Sequence, residues 1–220
     1  ERIKIGQMVT CNGYRNPALL AKIASTVDVL SHGRLLCGLG AGWYEHEWRA
    51  YGYGFPERGD RMRAFSEACE IMVKMWTEEK TTFKGKHYTL DGAINEPKGV
   101  QKPHIPLWIG GSGEKVTLRL VAKWGAASNF SGKLDEIAHR LNVLRQHCTD
   151  LGRDFDTIVR SSNINIFLLE PGQDPEQATA AARGKRPYLE YANDFFVGTP
   201  DQVSAHIEKI VDLGINYVII

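Results

Sequence analysis

Long apolar runs are missing from this chain of 220 residues. No stretch approaches the roughly 18 apolar residues that a membrane-spanning helix needs. The opening Glu1-Arg2-Ile3-Lys4 lacks the apolar region of a signal peptide. Cysteine is scarce: Cys11, Cys37, Cys69 and Cys148 are the four present, and none forms a C-x-x-C pair. Their separations fit neither a metal site nor a disulfide framework, so the expected setting is a reducing cytoplasm. In that setting the sequon Asn129-Phe130-Ser131 carries no glycan. An excess of one charge is absent as well. Lys plus Arg total 27 against 26 Asp plus Glu, a formal net charge of +1. That balance leaves no footprint for nucleic acid or an anionic membrane surface.

Several familiar site motifs are also absent. Gly38-Leu39-Gly40-Ala41-Gly42 is followed by Trp43, where a dinucleotide fingerprint needs spacing to a third glycine. Ile109-Gly110-Gly111-Ser112-Gly113-Glu114 lacks the lysine and hydroxyl spacing of a phosphate-binding P-loop. His46-Glu47-Trp48-Arg49-Ala50 lacks the second histidine of a zinc-protease helix, so no metal is expected. The seven histidines are scattered, and no Ser–His–Asp order stands out.

What is present is alternation. Ile3 to Thr10 reads as a buried strand. Asn16-Pro17 then gives an N-cap with proline at the first helical position. Leu19, Leu20, Ile23, Ala24, Val27 and Leu30 recur at helical spacing, and Gly33 fits the helix end. Leu35 to Leu39 is a second strand. Tyr44 to Tyr51 is a short helix, and Arg58 to Trp76 a longer one with Phe65, Ala68, Cys69, Met72 and Met75 on one face. Thr82 to Leu90 reads as a side hairpin, and Glu96 to Pro106, with three prolines, as a loop. Leu107 to Gly110 is a strand and Glu114 to Trp124 its helix. Ala126 to Phe130, Leu134 to Leu151 and Ile158 to Leu169 follow as strand, helix and strand. Asp174 to Gly184 is a weak helix, and the segment 183–197 reads as an insertion. Thr199-Pro200-Asp201-Gln202 is a capping box opening a last helix, with Val203, Ile207, Ile210, Val211 and Leu213 on one face before the strand Tyr217 to Ile220. Short apolar strands alternating with helices mean an α/β fold with a parallel sheet.

Two glycine turns, Gly40 to Gly42 and Gly110 to Gly113, each join a strand to a helix. Such turns expose backbone N–H groups, and the following helix adds partial positive charge, which suits an anion. Each turn is equally compatible with plain chain reversal, Ser112 then serving as a helix N-cap. Trp43, Tyr44 and Trp48 after the first turn fit either a cofactor wall or the core. Glu45 and His46 beside that turn are candidate proton donors, with catalytic residues otherwise unassigned.

Taken jointly, Ile5-Gly6-Gln7-Met8-Val9-Thr10, Tyr14-Arg15-Asn16-Pro17-Ala18-Leu19-Leu20-Ala21-Lys22, Asp28-Val29-Leu30-Ser31-His32-Gly33-Arg34 and Gly38-Leu39-Gly40-Ala41-Gly42-Trp43 resemble the luciferase-like monooxygenase superfamily. Glu96-Pro97-Lys98, Pro106-Leu107-Trp108-Ile109-Gly110-Gly111 and Ala122-Lys123-Trp124-Gly125-Ala126 continue the likeness, which is strongest to oxidoreductases using coenzyme F420. The resemblance implies a TIM-type (β/α)8 barrel binding F420, or alternatively FMN, at the carboxyl ends of its strands. It implies a non-prolyl cis peptide at Met8-Val9, with Thr10 completing the bulge behind the ring. It places Gly40, Ala41 and Gly42 beside the ring and Gly110, Gly111, Ser112 and Gly113 on the phosphate. The implied activity is hydride transfer between the deazaflavin and a small organic substrate. FMN-dependent monooxygenation and a non-catalytic protein of the same fold are the alternatives. A homodimer is the family expectation. Residues 1–220 match the family from its third strand to its eighth, so the expected barrel is incomplete, and the two opening strands that usually supply an Asp-His pair are unmatched.

Overall fold

The computed structural model describes Arg2 to Ile220. The chain divides into two compact units, one of residues up to Ser128 with Val143–Ile158, the other of Asn129–Asn142 with Val159–Ile220.

The first unit begins with β1 (Ile5–Gly6), β2 (Thr10–Cys11), a 3-10 turn (Asn12–Tyr14) and α1 (Pro17–Leu30). β3 (Leu35–Gly40), α2 (Glu45–Ala50) and α3 (Arg58–Thr77) follow, then the hairpin β4 (Thr81–Lys84) and β5 (Thr89–Ala93). β6 (Leu107–Gly110), α4 (Thr117–Trp124) and β7 (Ala127–Asn129) complete the series. β1 and β2 both pair parallel with β3, β3 with β6, and β6 with β7. This is the α/β class expected from the sequence.

The register explains why β3 reads Leu-Leu-Cys-Gly-Leu-Gly. Cys37 lies beside Leu107 and Leu39 beside Ile109, whereas Gly38 lies beside Trp108 and Gly40 beside Gly110. Strand side chains alternate between faces. One face therefore carries Cys37, Leu39, Leu107 and Ile109, each at most 1% exposed. It packs against the helices: α1 lies on β3, α4 on β6, and α3 against both helices. Burying a Leu or Ile this completely contributes roughly 1.5–3 kcal/mol each. The other face carries Leu36 and Trp108, with glycine at its three remaining positions, Gly38, Gly40 and Gly110.

Asn16 caps α1 as its sequence indicates, Oδ1 accepting from the Ala18 N–H at 2.9 Å with Pro17 next. The buried face of α1 departs from expectation. Leu20, Ala21, Ala24, Ser25 and Asp28 are buried, while Leu19, Ile23 and Leu30 are exposed. The helix is rotated toward Asp28 because that carboxylate has partners inside. It accepts from the backbone N–H groups of Val100 and Gln101 at 2.8 and 3.2 Å and from Gln101 Nε2 at 2.7 Å. The helix ends before the expected Gly33, at Leu30 with Ser31 as its C-cap. His32 and Gly33 both have positive φ, and the Gly33 N–H closes the end on the Asp28 carbonyl at 2.9 Å.

The opening strand also differs from its sequence reading. Ile3 to Thr10 is not one buried strand but β1 and β2, with a cis Met8–Val9 peptide between them. Ile3, Ile5, Met8 and Val9 are all exposed. Among the described residues β1 has β3 as its one strand neighbour.

The β4–β5 hairpin is tied to α3 by Glu67, whose carboxylate accepts from the N–H groups of Lys86, His87 and Tyr88 at 2.8–3.0 Å. Burial pushes the Glu67 carboxyl up, but these three amides outweigh it and hold the group below its ordinary value. A depressed folded value stabilises the protein above the unfolded carboxyl range, about 4.3. That gain is lost as pH falls through the lower folded value. Glu67→Gln should thus cost about 1–2 kcal/mol near neutrality. Urea unfolding of both proteins across acid pH checks it, and a difference that persists at the acid end would exclude the charged form as its cause.

α5 (Leu134–Leu151) spans the division between the units. The second unit pairs β8 (Val159–Asn163) parallel with β11 (Tyr217–Ile219), and β9 (Ile166–Leu168) parallel with β10 (Phe196–Gly198). The expected single strand Ile158 to Leu169 is thus two. Ile164 still donates to the Ile219 carbonyl at 2.9 Å, while Asn165 already accepts from Phe196 at 2.7 Å. One extended run serves two partners. The expected weak helix is two four-residue turns, α6 (Pro175–Ala178) and α7 (Ala180–Arg183). Within 183–197 lies α8 (Tyr188–Asp194), with Tyr191 buried and stacked 4.4 Å from Phe195. α9 (Pro200–Asp212) carries the expected capping box, Gln202 Oε1 accepting from the Thr199 N–H at 2.9 Å. Its Val203 and Ile210 are buried, but Val211 is exposed.

Candidate functional site

The parallel register of the first unit puts the carboxyl ends of β2, β3 and β6 in one row, with Cys11 beside Gly40 and Gly40 beside Gly110. Both glycine turns leave the sheet on that edge. Open and closed parallel sheets bind ligands at this edge because the loops that follow the strands converge there.

Val9, Gly40 and Gly110 are brought together. A Cβ on Gly40 would stand 2.8 Å from Val9 Cγ2, and one on Gly110 would stand 2.9 Å from the same methyl. Val9 also reaches Gly38, at 2.9 Å. These glycines therefore make room for the Val9 side chain. The surface a ligand would meet is apolar, built by Val9 with the exposed Met8 before it. Thr10 lies beside Leu39 and so belongs to the helix-packed face, not to the glycine face.

The first turn is backed by Trp48. Its ring fills the positions of absent side chains at Gly13 and Gly42, the Gly13 Cβ position lying 1.9 Å from the ring. Trp48 is 4% exposed and packs edge-on against Tyr14 and Phe55. Of the three aromatics that fitted either wall or core, Trp48 is core, while Trp43 and Tyr44 stand exposed on the rim. Ala41 is half-buried in the turn, and Gly42 holds φ +80°, a conformation that favours glycine. The Trp48 Nε1 is buried without a hydrogen-bond partner in the structure.

The second turn is open. Gly111 has φ +114°, and Ser112 is exposed. Among the described residues no acceptor takes the backbone N–H of Gly111, Ser112 or Gly113. Ser112 does not cap a helix. α4 starts three residues later than its sequence suggests, at Thr117 after Val116, because the Gly113 carbonyl is taken by the Leu118 N–H at 3.0 Å.

The candidate proton donors Glu45 and His46 lie on the exposed side of α2. Glu45 Oε1 is held by Arg49 at 2.7 Å on the exposed side of α2, and His46 is exposed beside Tyr44. The adjacent carboxylate was not foreseen. Glu47 Oε2 accepts from the Tyr14 hydroxyl at 2.7 Å, and Tyr14 stacks on Tyr53 with ring centroids 4.8 Å apart. Burial and then the Glu47 hydrogen bond raise the Tyr14 phenol well above its ordinary value. The available signal was the two-residue step from Glu45 to Glu47, which turns a helix by about 200° and so onto the opposite side. Asn12 braces the same turn from the hairpin side, its Nδ2 donating to the Tyr88 hydroxyl at 3.2 Å.

Residues 1–196 match the model of the family described as luciferase-like monooxygenase. The chain belongs to the luciferase-like monooxygenase family. Within it, the chain is 30% identical over 186 residues to an F420-dependent glucose-6-phosphate dehydrogenase of Kineococcus radiotolerans, covering 83% of this chain and 53% of that protein. It is 24% identical over 240 residues to an FMNH2-dependent dimethylsulfone monooxygenase of Pseudomonas putida, covering 94% of this chain and 66% of that one. An F420-dependent secondary alcohol dehydrogenase, solved with an F420-acetone adduct, superposes with a TM-score of 0.77 at 20% identity, over 99% of this chain and 73% of that chain. The chain thus has the luciferase-like TIM-barrel type of fold. It spans between about half and two thirds of the length of these two curated relatives. No helix among the described residues is long and apolar enough to cross a membrane. Among the same residues no group of three or more His, Cys, Asp or Glu is placed to hold a metal ion.

Proposed function

We propose that this protein is an F420-dependent oxidoreductase that moves a hydride between the deazaflavin and a small organic substrate. The carrying observation is the shared edge of β2, β3 and β6. There an apolar platform of Met8 and Val9 stands beside a turn whose Gly111, Ser112 and Gly113 amides are unpaired. Such a platform suits the face of a planar ring, and free amides ahead of α4 suit its phosphate. Bound there, F420 supplies a two-electron hydride acceptor or donor. The protein's part is to orient the ring, hold its phosphate and exclude water.

The 30% identity to a relative named for F420 favours this cofactor. FMN is the second reading, favoured by the monooxygenase relative that aligns with 94% of the chain. Anaerobic titration with each cofactor, followed by ring fluorescence, separates them. Binding of FMN with no measurable affinity for F420 overturns the choice.

Gly111→Val tests the phosphate turn. At φ +114° a β-branched residue is strained by about 1–3 kcal/mol whatever the space around it. The turn must move, and cofactor affinity should fall at least about tenfold. Equal affinity in the same titration would remove Gly111 to Gly113 from the site.

A further inference from the structure

The turn from Gly110 to Glu114 is held at both of its ends, with the amides between them left open. At its start Gly110 lies beside Gly40 in the β3–β6 pairing. At its far end the Glu114 carbonyl accepts from His147 Nε2 at 2.8 Å, a contact that spans 33 residues of chain. A carbonyl only accepts, so this ring nitrogen carries its hydrogen. His147 Nδ1 is buried with no hydrogen-bond partner. The ring thus makes one side-chain hydrogen bond, and that bond goes to the turn. Packing alone does not call for such a ring. A buried nitrogen left unsatisfied is a cost that an apolar side chain of similar size avoids.

His147 sits in the second half of α5, which belongs to the same unit as the turn and α4. The chain grips α4 a second time just past that helix. Arg153 Nη1 donates to the Ala122 carbonyl in the last turn of α4 at 3.4 Å, and the Arg153 N–H closes on the Cys148 carbonyl at 2.9 Å. The α5 segment therefore braces α4 from both sides, at a carbonyl ahead of it and at a carbonyl near its end. The Gly113 carbonyl is already bonded to Leu118. With Gly113 and Glu114 both tied, the loop has few ways to rearrange, and Gly111, Ser112 and Gly113 keep their N–H groups free. A loop ordered in advance binds an anion without first losing its own conformational freedom.

We propose that His147 is a positioning residue for the cofactor phosphate, holding the Glu114 carbonyl so that the Gly111, Ser112 and Gly113 amides stay arranged as an anion cradle. The inference rests on the phosphate-turn reading above. His147 acts through the main chain at Glu114, not on the phosphate itself. Its influence is therefore confined to the phosphate end of the cofactor and leaves the platform of Met8 and Val9 as it is.

The test compares each cofactor with its phosphate-free counterpart by equilibrium fluorescence titration: F420 with its bare deazaflavin chromophore, and FMN with riboflavin. The parent protein should favour the phosphate-bearing member of the pair it binds. His147→Leu should reduce that preference about fivefold to tenfold, the effect of one lost hydrogen bond. Affinity for the phosphate-free member should stay within about twofold of the parent. His147→Gln, whose side-chain amide reaches the Nε2 position, should restore the preference to within about twofold. His147→Asn reaches only the Nδ1 position and should behave as the leucine variant does, and it decides the matter if His147→Leu does not fold. A preference retained in the leucine or asparagine variant overturns the proposal. So does an equal loss for both members of the pair, which marks general loosening, and so does a glutamine variant no better than the leucine one. A parent that binds both members equally overturns the phosphate-turn reading, and failure of both cofactors to bind overturns the cofactor reading, the proposal falling with either.

Discussion

Gly38→Ala should lower stability by about 3 kcal/mol, a fall of roughly 10 °C in the melting temperature for a chain of this size. The added Cβ would stand 2.0 Å from the Gln7 carbonyl oxygen and 2.9 Å from Val9 Cγ1. The first neighbour is main chain and cannot turn aside as a flexible side chain does. Relief requires the segment between β1 and β2 to move off β3. That segment carries Met8 and Val9, so cofactor affinity should fall together with stability. Thermal unfolding followed by circular dichroism decides the matter. A melting temperature within about 2 °C of the parent would show that Gln7 gives way freely and that the close approach carries no energetic weight.

Asp28→Ala should be at least as damaging, at about 3 kcal/mol or more. Asp28 is fully buried and takes three N–H donors from Val100 and Gln101. Removing the acceptor leaves those part-buried donors without their protein partner, and an unsatisfied donor costs up to about 1–3 kcal/mol where it is buried. Gln101 Nε2 keeps a second partner in the Leu35 carbonyl at 2.8 Å, so the loss falls on the two backbone groups first. Asp28→Asn keeps one oxygen but turns an N–H2 toward donors, so its loss should lie between those of the parent and the alanine variant. Guanidinium unfolding of the three proteins gives the order. An alanine variant as stable as the parent would mean that water reaches Val100 and Gln101 unaided.

Asp28 also shows where sequence reasoning stops. The spacing of Leu19, Leu20, Ile23, Ala24, Val27 and Leu30 gave the helix, and Asn16-Pro17 its start. It misplaced the buried stripe, because the group that orients α1 is a carboxylate whose partners lie more than 70 residues away. Helices and strands of Leu35 to Gly40, Arg58 to Thr77 and Leu107 to Gly110 were legible because periodicity records local burial. The break at Asn165 was not, since an extended run looks the same whether it serves one partner or two. Of the candidate site, the glycine turns were visible and their shared edge followed from parallel pairing. What the glycines make room for was not visible. Val9 is 29 residues from Gly38 and 101 from Gly110, and only the folded register brings them to one point. Tyr14 and Glu47 escaped for the same reason, each being unremarkable within its own segment.

Three glycine positions covered by the one side chain of Val9 leave room for change. If the ring binds where we propose, the depth of the floor beneath it is set largely by a single codon. Trading Val9 for a smaller or larger residue would deepen or raise that floor while the main chains of two neighbouring strands stayed where they are. A lineage could retune this mouth for a different guest without rebuilding the scaffold that supports it.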